Sequence, residues 1–332
     1  MKEKKQLFPY NSNGAVIPTT TTKIIYTRLH ALVIALRPRQ WIKNGALFIG
    51  LIFAQHLLIW TSFVRVCTGF ITFCLASSTI YLLNDILDME KDRQHPLKRY
   101  RPIASGRLPI SWAITAMSLL LLLCCTSLGI IFFLPAKSPD MYASFGGSNL
   151  LITGIVAIYL LLMALYSVYL KHIVLIDVFI IASGFVLRIL GSAVVIPVVI
   201  SPWLYLVTCF LSLFLALGKR RHEIVLLQGE ASNHRQILKE YSLPLLDQLI
   251  MITVTCTLVS YSLYTLETPT GNHHLIITIP LVLYGMFRYL YLVYQKMEGG
   301  GPEDVLLRDR PLLGTVVVCA ILIICVLYIG LQ

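Results

Sequence analysis

Long apolar segments separated by short polar ones run from about residue 43 to the end of the chain. A helix needs about 20 apolar residues to cross the hydrocarbon core of a bilayer, so these segments predict membrane-spanning helices. Nine are expected, with approximate bounds of 43–61, 66–88, 111–133, 149–169, 173–198, 202–218, 244–265, 273–294 and 311–331. The pattern therefore predicts an all-α, polytopic membrane protein.

Two further segments precede the first predicted span. Residues 1–23 are polar and predict a mobile cytoplasmic tail, whereas residues 24–40 mix aliphatic residues with Arg28, Arg37 and Arg39. Such a mixture is typical of an amphipathic helix that lies on a membrane surface. The expected organisation is a tail followed by one transmembrane domain, residues 24–332.

The composition is that of a membrane protein, and its positive charge is unevenly distributed. Only 13% of the 332 residues are charged and 57% are hydrophobic, whereas about 25% of the residues of a soluble domain are charged. With the N-terminus placed inside, 23 of the 27 Lys and Arg residues fall on the inner side, two outside and two within spans. This positive-inside bias predicts a plasma (inner) membrane protein whose polar loops face the cytoplasm. It accounts for the net charge of +11 without a nucleic acid partner.

Several classes of function find no support in the sequence. All eight cysteines fall inside apolar segments and none forms a CxxC pair, so neither a disulfide framework nor a cysteine metal site is expected. The chain also lacks a P-loop, a Rossmann fingerprint, an HExxH motif and a nucleophile elbow. Chemistry must therefore come from polar residues near the predicted spans.

The most concentrated polar stretch, Asn84–Gly106, lies between the second and third predicted spans. Asp85, Asp88 and Asp92 are spaced i, i+3 and i+7, which places them within an arc of about 60° on one helix. Carboxylates gathered on one face suit Mg²⁺, which is usually held by one or two carboxylates plus substrate phosphates. Bases follow, among them Lys98 and Arg101, and they suit a pyrophosphorylated substrate. The alternative is a solvated loop of mixed charge.

A second polar region follows the fourth predicted span. Tyr166, Lys171 and Asp177 are its polar residues, and Arg188 lies 11 positions beyond Asp177, roughly 16 Å along a helix. A charge at that depth is costly and faces a polar cavity or a partner. Arg188 is thus either an anchor for a phosphate or half of a structural ion pair.

Two further groups of bases are candidates for phosphate binding. Lys43 opens the first predicted span, and Lys219, Arg220 and Arg221 follow the sixth. Each group can also be explained without phosphate binding. Lys43 can extend from a helix end to the membrane interface, and the other three bases fit the generally basic character of inner loops.

The motif NDxxDxxxD at Asn84–Asp92, beside a membrane helix, resembles the first aspartate-rich motif of the UbiA superfamily of intramembrane prenyltransferases. Its continuation, HPLKRYRPIASG, resembles the decaprenyl-phosphate phosphoribosyltransferase branch of that superfamily. The resemblance covers about residues 30–331. Many aromatic prenyltransferases carry two or more acids in the second motif, where this chain has only Asp177, and that departure agrees with the phosphoribosyl branch.

The resemblance implies Mg²⁺-dependent transfer of 5-phosphoribose from phosphoribosyl pyrophosphate to a polyprenyl (decaprenyl-like) phosphate for cell-envelope lipid-linked sugar synthesis. Asp85, Asp88 and Asp92 would hold Mg²⁺, and Asp177 would bind a second cation, the ribose hydroxyls or a basic partner. Asn84 and Tyr166 would complete the polar site. The expected phosphate-binding residues are Lys43, Lys98, Arg101, Lys171, Arg188, Lys219, Arg220 and Arg221. A homo-oligomer is compatible with the sequence.

Two alternatives remain open at this level. A UbiA-type prenyltransferase would move a polyprenyl chain from its diphosphate to an aromatic acceptor by the same metal chemistry. Two features disfavour this alternative: the second acidic motif has only Asp177, and the first is followed by the basic segment HPLKRYRPIASG. A transporter or lipid-binding membrane protein would have no need of three carboxylates on one face.

Overall fold

The computed structural model describes residues 20–135, 140–199, 201–226, 240–267 and 273–329, and all regular structure within these ranges is helical. Most of the predicted polar tail, residues 1–19, lies outside them. The α-helices are α1 Thr20–Leu36, α2 Leu47–Phe53, α3 Trp60–Leu87, α4 Met89–Gln94, α5 Ile110–Phe133, α6 Ser148–Val168, α7 Ile176–Val195, α8 Pro202–Leu226, α9 Leu243–Leu266, α10 Ile279–Tyr294, α11 Pro302–Arg308 and α12 Arg310–Tyr328.

Within the described residues, eight helical segments are long and apolar enough to cross a membrane. They are α3, α5, α6, α7, α8, α9, α12 and the segment His274–Tyr294, which ends in α10. This agrees closely with the predicted number and confirms an all-helical membrane protein.

The first predicted span, 43–61, is built differently from the others. It consists of a 3-10 helix, Pro38–Ala46, followed by the seven-residue helix α2. Positive φ angles at Arg37 (54°) and Gln55 (58°) bracket this segment, since the left-handed conformation interrupts a right-handed helix. The two short helices together have a contour length of about 28 Å.

Arg65, one of the two bases expected on the outer side between the first two predicted spans, belongs to a helix in the structure. Helix α3 begins at Trp60, so Arg65 lies inside it and is almost fully buried. Its guanidinium donates to the carbonyl oxygens of Val195 (2.6 Å), Ile131 (3.0 Å) and Leu134 (2.7 Å). These carbonyls lie at the C-terminal ends of α7 and α5, where backbone acceptors have no partner within the helix and the helix dipole favours a cation.

The bundle contains two large apolar cores. One includes Leu51 of α2, Phe73 of α3 and Val195 of α7, and the other includes Phe214 of α8 and Ile250 of α9. Helix α7 packs against α6 on the first side and against α8 on the second, so it joins the two halves. The polar residues of interest lie along α7 and at the ends of α3, α8 and the 3-10 helix.

Candidate active site

The polar stretch after α3 folds back on itself because of two prolines. Helix α4 ends at Gln94, and His95, which precedes Pro96, is extended (φ −83°, ψ 134°). Arg101, which precedes Pro102, is also extended (φ −61°, ψ 146°). A residue before proline is disfavoured in the helical region, so each X-Pro step turns the chain away from a continuing helix. The return brings Arg101 back beside the aspartates.

Two of the three motif aspartates meet at one guanidinium. Arg101 Nη1 donates to Asp92 Oδ2 at 2.6 Å and to Asp85 Oδ1 at 3.2 Å. Asp85 Oδ1 also accepts from Arg37 Nη2 at 2.5 Å, and the Arg37 guanidinium lies 4.9 Å from the centroid of the Tyr81 ring. Both aspartates are buried. Asp85 and Asp92 are therefore close neighbours whose charges are balanced by arginines.

Asp88 lies apart from this pair. It separates α3 from α4, with φ −92° and ψ 5°, so the continuous helical arc predicted for the three aspartates is interrupted at its middle member. Lys171 Nζ donates to Asp88 Oδ1 at 2.6 Å. In the described part of the chain no group of three or more His, Cys, Asp or Glu side chains is arranged to hold a metal ion.

Arg188 is buried in α7 among neutral partners. Its Nε donates to Asn44 Oδ1 at 2.6 Å, Nη1 to the Gly184 carbonyl at 2.6 Å, and Nη2 to the Tyr159 hydroxyl at 3.0 Å. The Phe73 ring also lies near the guanidinium, 5.9 Å from its centre. None of these contacts involves a carboxylate, so within the described residues the structural ion pair considered from sequence is not what holds Arg188. Its positive charge is available to an anion.

Asp177 has the basic partner that was one of its three expected roles. Asp177 Oδ2 accepts from Arg220 Nε at 2.7 Å and Oδ1 accepts from the Tyr241 hydroxyl at 2.7 Å. Arg220 also contacts Glu223 and donates to the Tyr166 hydroxyl at 3.3 Å. Burial, together with the hydrogen bond to Asp177, raises the pKa of Tyr241, which keeps its hydroxyl protonated as a donor. This network ties α7 to α8 and to the segment before α9.

The remaining bases occupy several environments. The residues Lys219, Arg220 and Arg221, expected in a loop, form part of α8, which continues to Leu226. Arg221 Nε donates to Asp247 Oδ1 at 2.7 Å. Lys98 is exposed in a 3-10 turn, and Asn84 is half-buried near the end of α3. The predicted site residues thus lie at the ends of α3, α6 and α8, along α7 and in the 3-10 helix before α2, and Lys98 is exposed.

Two contacts of this region were not anticipated from sequence. Arg37 was assigned to the surface helix, yet it contacts Asp85; its place directly before Pro38 was the available signal. Glu303 of α11 was assigned no chemistry, yet its Oε1 accepts from Gln40 Nε2 at 2.6 Å and its Oε2 lies 3.2 Å from Lys43 Nζ. No local pattern identifies a partner 263 positions away in the chain.

Comparison with known proteins assigns the chain to a family. Residues 45–301 match the model of the UbiA prenyltransferase family. The decaprenyl-phosphate phosphoribosyltransferase of Mycolicibacterium smegmatis is 34% identical over 296 residues, which cover 85% of this chain and 87% of the relative. The enzyme of the same name from Corynebacterium glutamicum is 32% identical over 288 residues, covering 85% and 82%.

A solved structure agrees at the level of the fold. A UbiA homolog from Archaeoglobus fulgidus bound to GPP and Mg²⁺ superimposes with a TM-score of 0.63 at 14% sequence identity, covering 89% of this chain and 97% of the other. The two proteins therefore share a helical-bundle fold, although their sequences are only 14% identical. The chain belongs to the UbiA prenyltransferase family and is a membrane-embedded transferase.

Proposed function

We propose that this protein transfers 5-phosphoribose from phosphoribosyl pyrophosphate to a polyprenyl phosphate, with release of pyrophosphate. The observation that carries the proposal is the pairing of every motif aspartate with a base: Asp85 and Asp92 with Arg101, and Asp88 with Lys171. Such an arrangement can exchange partners when a metal–pyrophosphate complex binds, because the aspartates turn to the cation and the bases to the phosphates. The names of the relatives favour the phosphoribosyl donor.

The residues present fit a magnesium ion. Asp85 and Asp92 already converge on one positive group, the Arg101 guanidinium, so their oxygens are placed to share a cation. Two carboxylates completed by pyrophosphate oxygens are a usual ligand set for Mg²⁺. Asp88 would join through its own oxygen or through water once Lys171 turns to a phosphate. When bound, Mg²⁺ neutralises charge on the leaving pyrophosphate.

The chain's own residues would orient the two substrates. Arg101 and Lys171 would hold the pyrophosphate while the bond from ribose C1 to its oxygen breaks. An oxygen of the lipid phosphate would form the new bond at C1 from the opposite face. That phosphate is anionic at neutral pH, so the reaction needs no strong general base.

The acceptor would reach this centre from within the bilayer. Arg188 lies in a membrane-spanning helix and contacts only neutral groups in its hydrogen bonds, so it suits the anionic head of a membrane lipid. The soluble donor would approach from the cytoplasm, the side that receives most Lys and Arg residues. The product would serve lipid-linked sugar synthesis for the cell envelope.

The test uses the purified full chain in detergent, polyprenyl phosphate, Mg²⁺ and phosphoribosyl pyrophosphate labelled in the ribose. Label should move into the organic phase, and a chelator or Asp88→Asn should stop it. Asp304→Asn, which changes an exposed aspartate of α11, is the matched control and should retain transfer. Undiminished transfer by a folded Asp88→Asn variant would contradict the role of this aspartate.

The other transferase hypothesis is tested with the same preparation. Labelled polyprenyl diphosphate and aromatic acceptors replace the two substrates. Prenylation of the acceptor, without any transfer from phosphoribosyl pyrophosphate, would overturn the proposed donor and leave only the family assignment.

A further inference from the structure

Two buried polar atoms lie without a hydrogen-bond partner among the described residues: the Tyr289 hydroxyl and Glu303 Oε2. The two residues are only 5% and 8% exposed. Buried polar groups in native proteins are nearly always satisfied, so an unsatisfied pair indicates a group that arrives from outside the chain. Tyr289 packs in the same apolar core as Val305, which lies two residues after Glu303 in α11, so the two residues lie in one neighbourhood.

The position of Glu303 is set by contacts across the bundle. Its Oε1 accepts from Gln40 Nε2 at 2.6 Å, and Gln40 Oε1 in turn accepts from Lys43 Nζ at 2.6 Å. Lys43 Nζ lies 3.2 Å from Glu303 Oε2 and balances its charge as an ion pair. One carboxylate oxygen is therefore held in place while the other keeps its acceptor capacity.

The glycine-rich segment Gly299–Gly301, directly before α11, packs closely against its neighbours. A Cβ at Gly301 would lie 2.9 Å from Glu303 Oε1, and a Cβ at Gly299 would lie 2.8 Å from His222 Cβ and 3.3 Å from the Gly218 carbonyl. Gly218 in turn faces the Tyr289 ring, 3.8 Å from a Cβ built there. Glycines therefore let this segment pack closely on α8 and on the Glu303 side chain.

The chemistry of the pair selects a hydroxyl group. Glu303 Oε2 has only Lys43 beside it and can accept a further hydrogen bond, and the Tyr289 hydroxyl is free to donate. A hydroxyl both donates and accepts, so a single one can satisfy both atoms, whereas a phosphate oxygen cannot donate and is repelled by the carboxylate. Burial raises the pKa of Glu303, but Lys43 and the hydrogen bond from Gln40 outweigh it, and the pKa lies below its usual value. The carboxylate is therefore ionised at neutral pH.

The pair lies next to the proposed reaction centre. The 3-10 helix that carries Gln40 and Lys43 also carries Asn44, the partner of Arg188, and it follows directly after Arg37, the partner of Asp85. A substrate with phosphates at the aspartates and bases would thus present its sugar close to Glu303.

We propose that Glu303 and Tyr289 form a subsite that binds a ribose hydroxyl of the donor and selects ribosyl over deoxyribosyl pyrophosphates. This inference rests on the proposed function. It gives α11 and the preceding glycines a role in substrate recognition, and it assigns Lys43 to the boundary between the phosphate-binding and hydroxyl-binding parts of the site.

The decisive variant is Tyr289→Phe, which removes only an atom that makes no hydrogen bond within the described chain and should leave folding intact. The measurement is the ratio of kcat/KM for phosphoribosyl pyrophosphate to that for its 2-deoxy and 3-deoxy analogues, with the full chain in detergent. The wild-type protein should reject one analogue by about a hundredfold or more, and Tyr289→Phe should reduce that ratio by about tenfold. Tyr291→Phe, in the same helix but 42% exposed, is the matched control and should keep the ratio.

Glu303→Gln should reduce the same ratio, and donor binding measured without the lipid acceptor should weaken in parallel. If Glu303→Gln does not fold, Tyr289→Phe decides alone. Transfer by the wild-type protein with equal ratios in Tyr289→Phe and Tyr291→Phe would overturn the subsite, because water and not a ribose hydroxyl would then occupy it. The proposed function would stand. Absence of any transfer by the wild-type protein would overturn the proposed function and the subsite together.

Discussion

Asp177→Asn removes the negative charge at the centre of a buried network that joins α7, α8 and the segment before α9. The Asp177 and Arg220 side chains are 0% and 1% exposed. An asparagine can present its oxygen either to Arg220 Nε or to the Tyr241 hydroxyl, and its amide nitrogen then faces the other donor. With the amide nitrogen toward Arg220 Nε, two donors face each other; with it toward Tyr241, the hydroxyl must accept and its own proton loses the Asp177 acceptor.

The size of the effect follows from burial. Breaking a buried ion pair by removing one partner costs about 3–5 kcal/mol. Arg220 keeps Glu223 and Tyr166 as partners, so we expect the lower end, about 3 kcal/mol of the free energy of unfolding. Denaturant unfolding in detergent micelles, followed by circular dichroism, measures this change.

The chain supplies a matched control in Asp247→Asn. Asp247 also accepts from an arginine Nε at 2.7 Å, from Arg221, and from a tyrosine hydroxyl, that of Tyr294, at 2.9 Å. Its side chain is 38% exposed, however, so we expect a loss of at most about 1 kcal/mol. Equal losses in the two variants, or a fully stable Asp177→Asn variant that no longer binds the donor, would refute the structural role of Asp177.

Three further predictions concern other parts of the bundle. Arg65→Met should lower the free energy of unfolding by about 3 kcal/mol, because three carbonyls at the ends of α5 and α7 lose a buried donor; donor binding, measured by calorimetry, should not change. Glu303 has a folded-state pKa below its usual value of 4.5, so its stabilising contribution is present above that pH and is lost as the pH falls through the folded-state pKa. The stability difference between the wild-type protein and Glu303→Gln should therefore shrink as the pH falls below 4.5, and a constant difference would contradict the ion pair with Lys43. Arg101→Met should tighten Mn²⁺ binding by about tenfold, since a competitor for Asp85 and Asp92 is lost, and should weaken donor binding; unchanged Mn²⁺ affinity by electron paramagnetic resonance would argue against a shared cation site.

The sequence predicted most of the helices because apolar length alone marks a membrane span. It also located the aspartate stretch, and the resemblance to the UbiA superfamily was confirmed. The break of the helix at Asp88 could not be predicted, because the spacing i, i+3, i+7 is equally compatible with a continuous helix. The return of Arg101 depends on two X-Pro steps whose combined direction is set by packing.

Contacts between residues far apart in the chain were the hardest features to predict from the sequence. Glu303 meets Gln40 and Lys43 across the bundle, and Arg65 meets the ends of two other helices, so neither partner set has a local signature. The first predicted span, 43–61, failed as a regular helix because Arg37 and Gln55 adopt left-handed conformations that neither residue type favours on its own. Tertiary packing determines these features.

The central claim is that the ribose, and not the pyrophosphate or a prenyl group, moves between substrates. The most direct measurement uses phosphoribosyl pyrophosphate with a carbon label in the ribose and a phosphorus label in the pyrophosphate. We predict that, with Mg²⁺ and polyprenyl phosphate, the carbon label enters the organic phase while the phosphorus label remains in water as pyrophosphate in equal amount. Transfer of both labels to the lipid, or of neither, would contradict the proposed reaction.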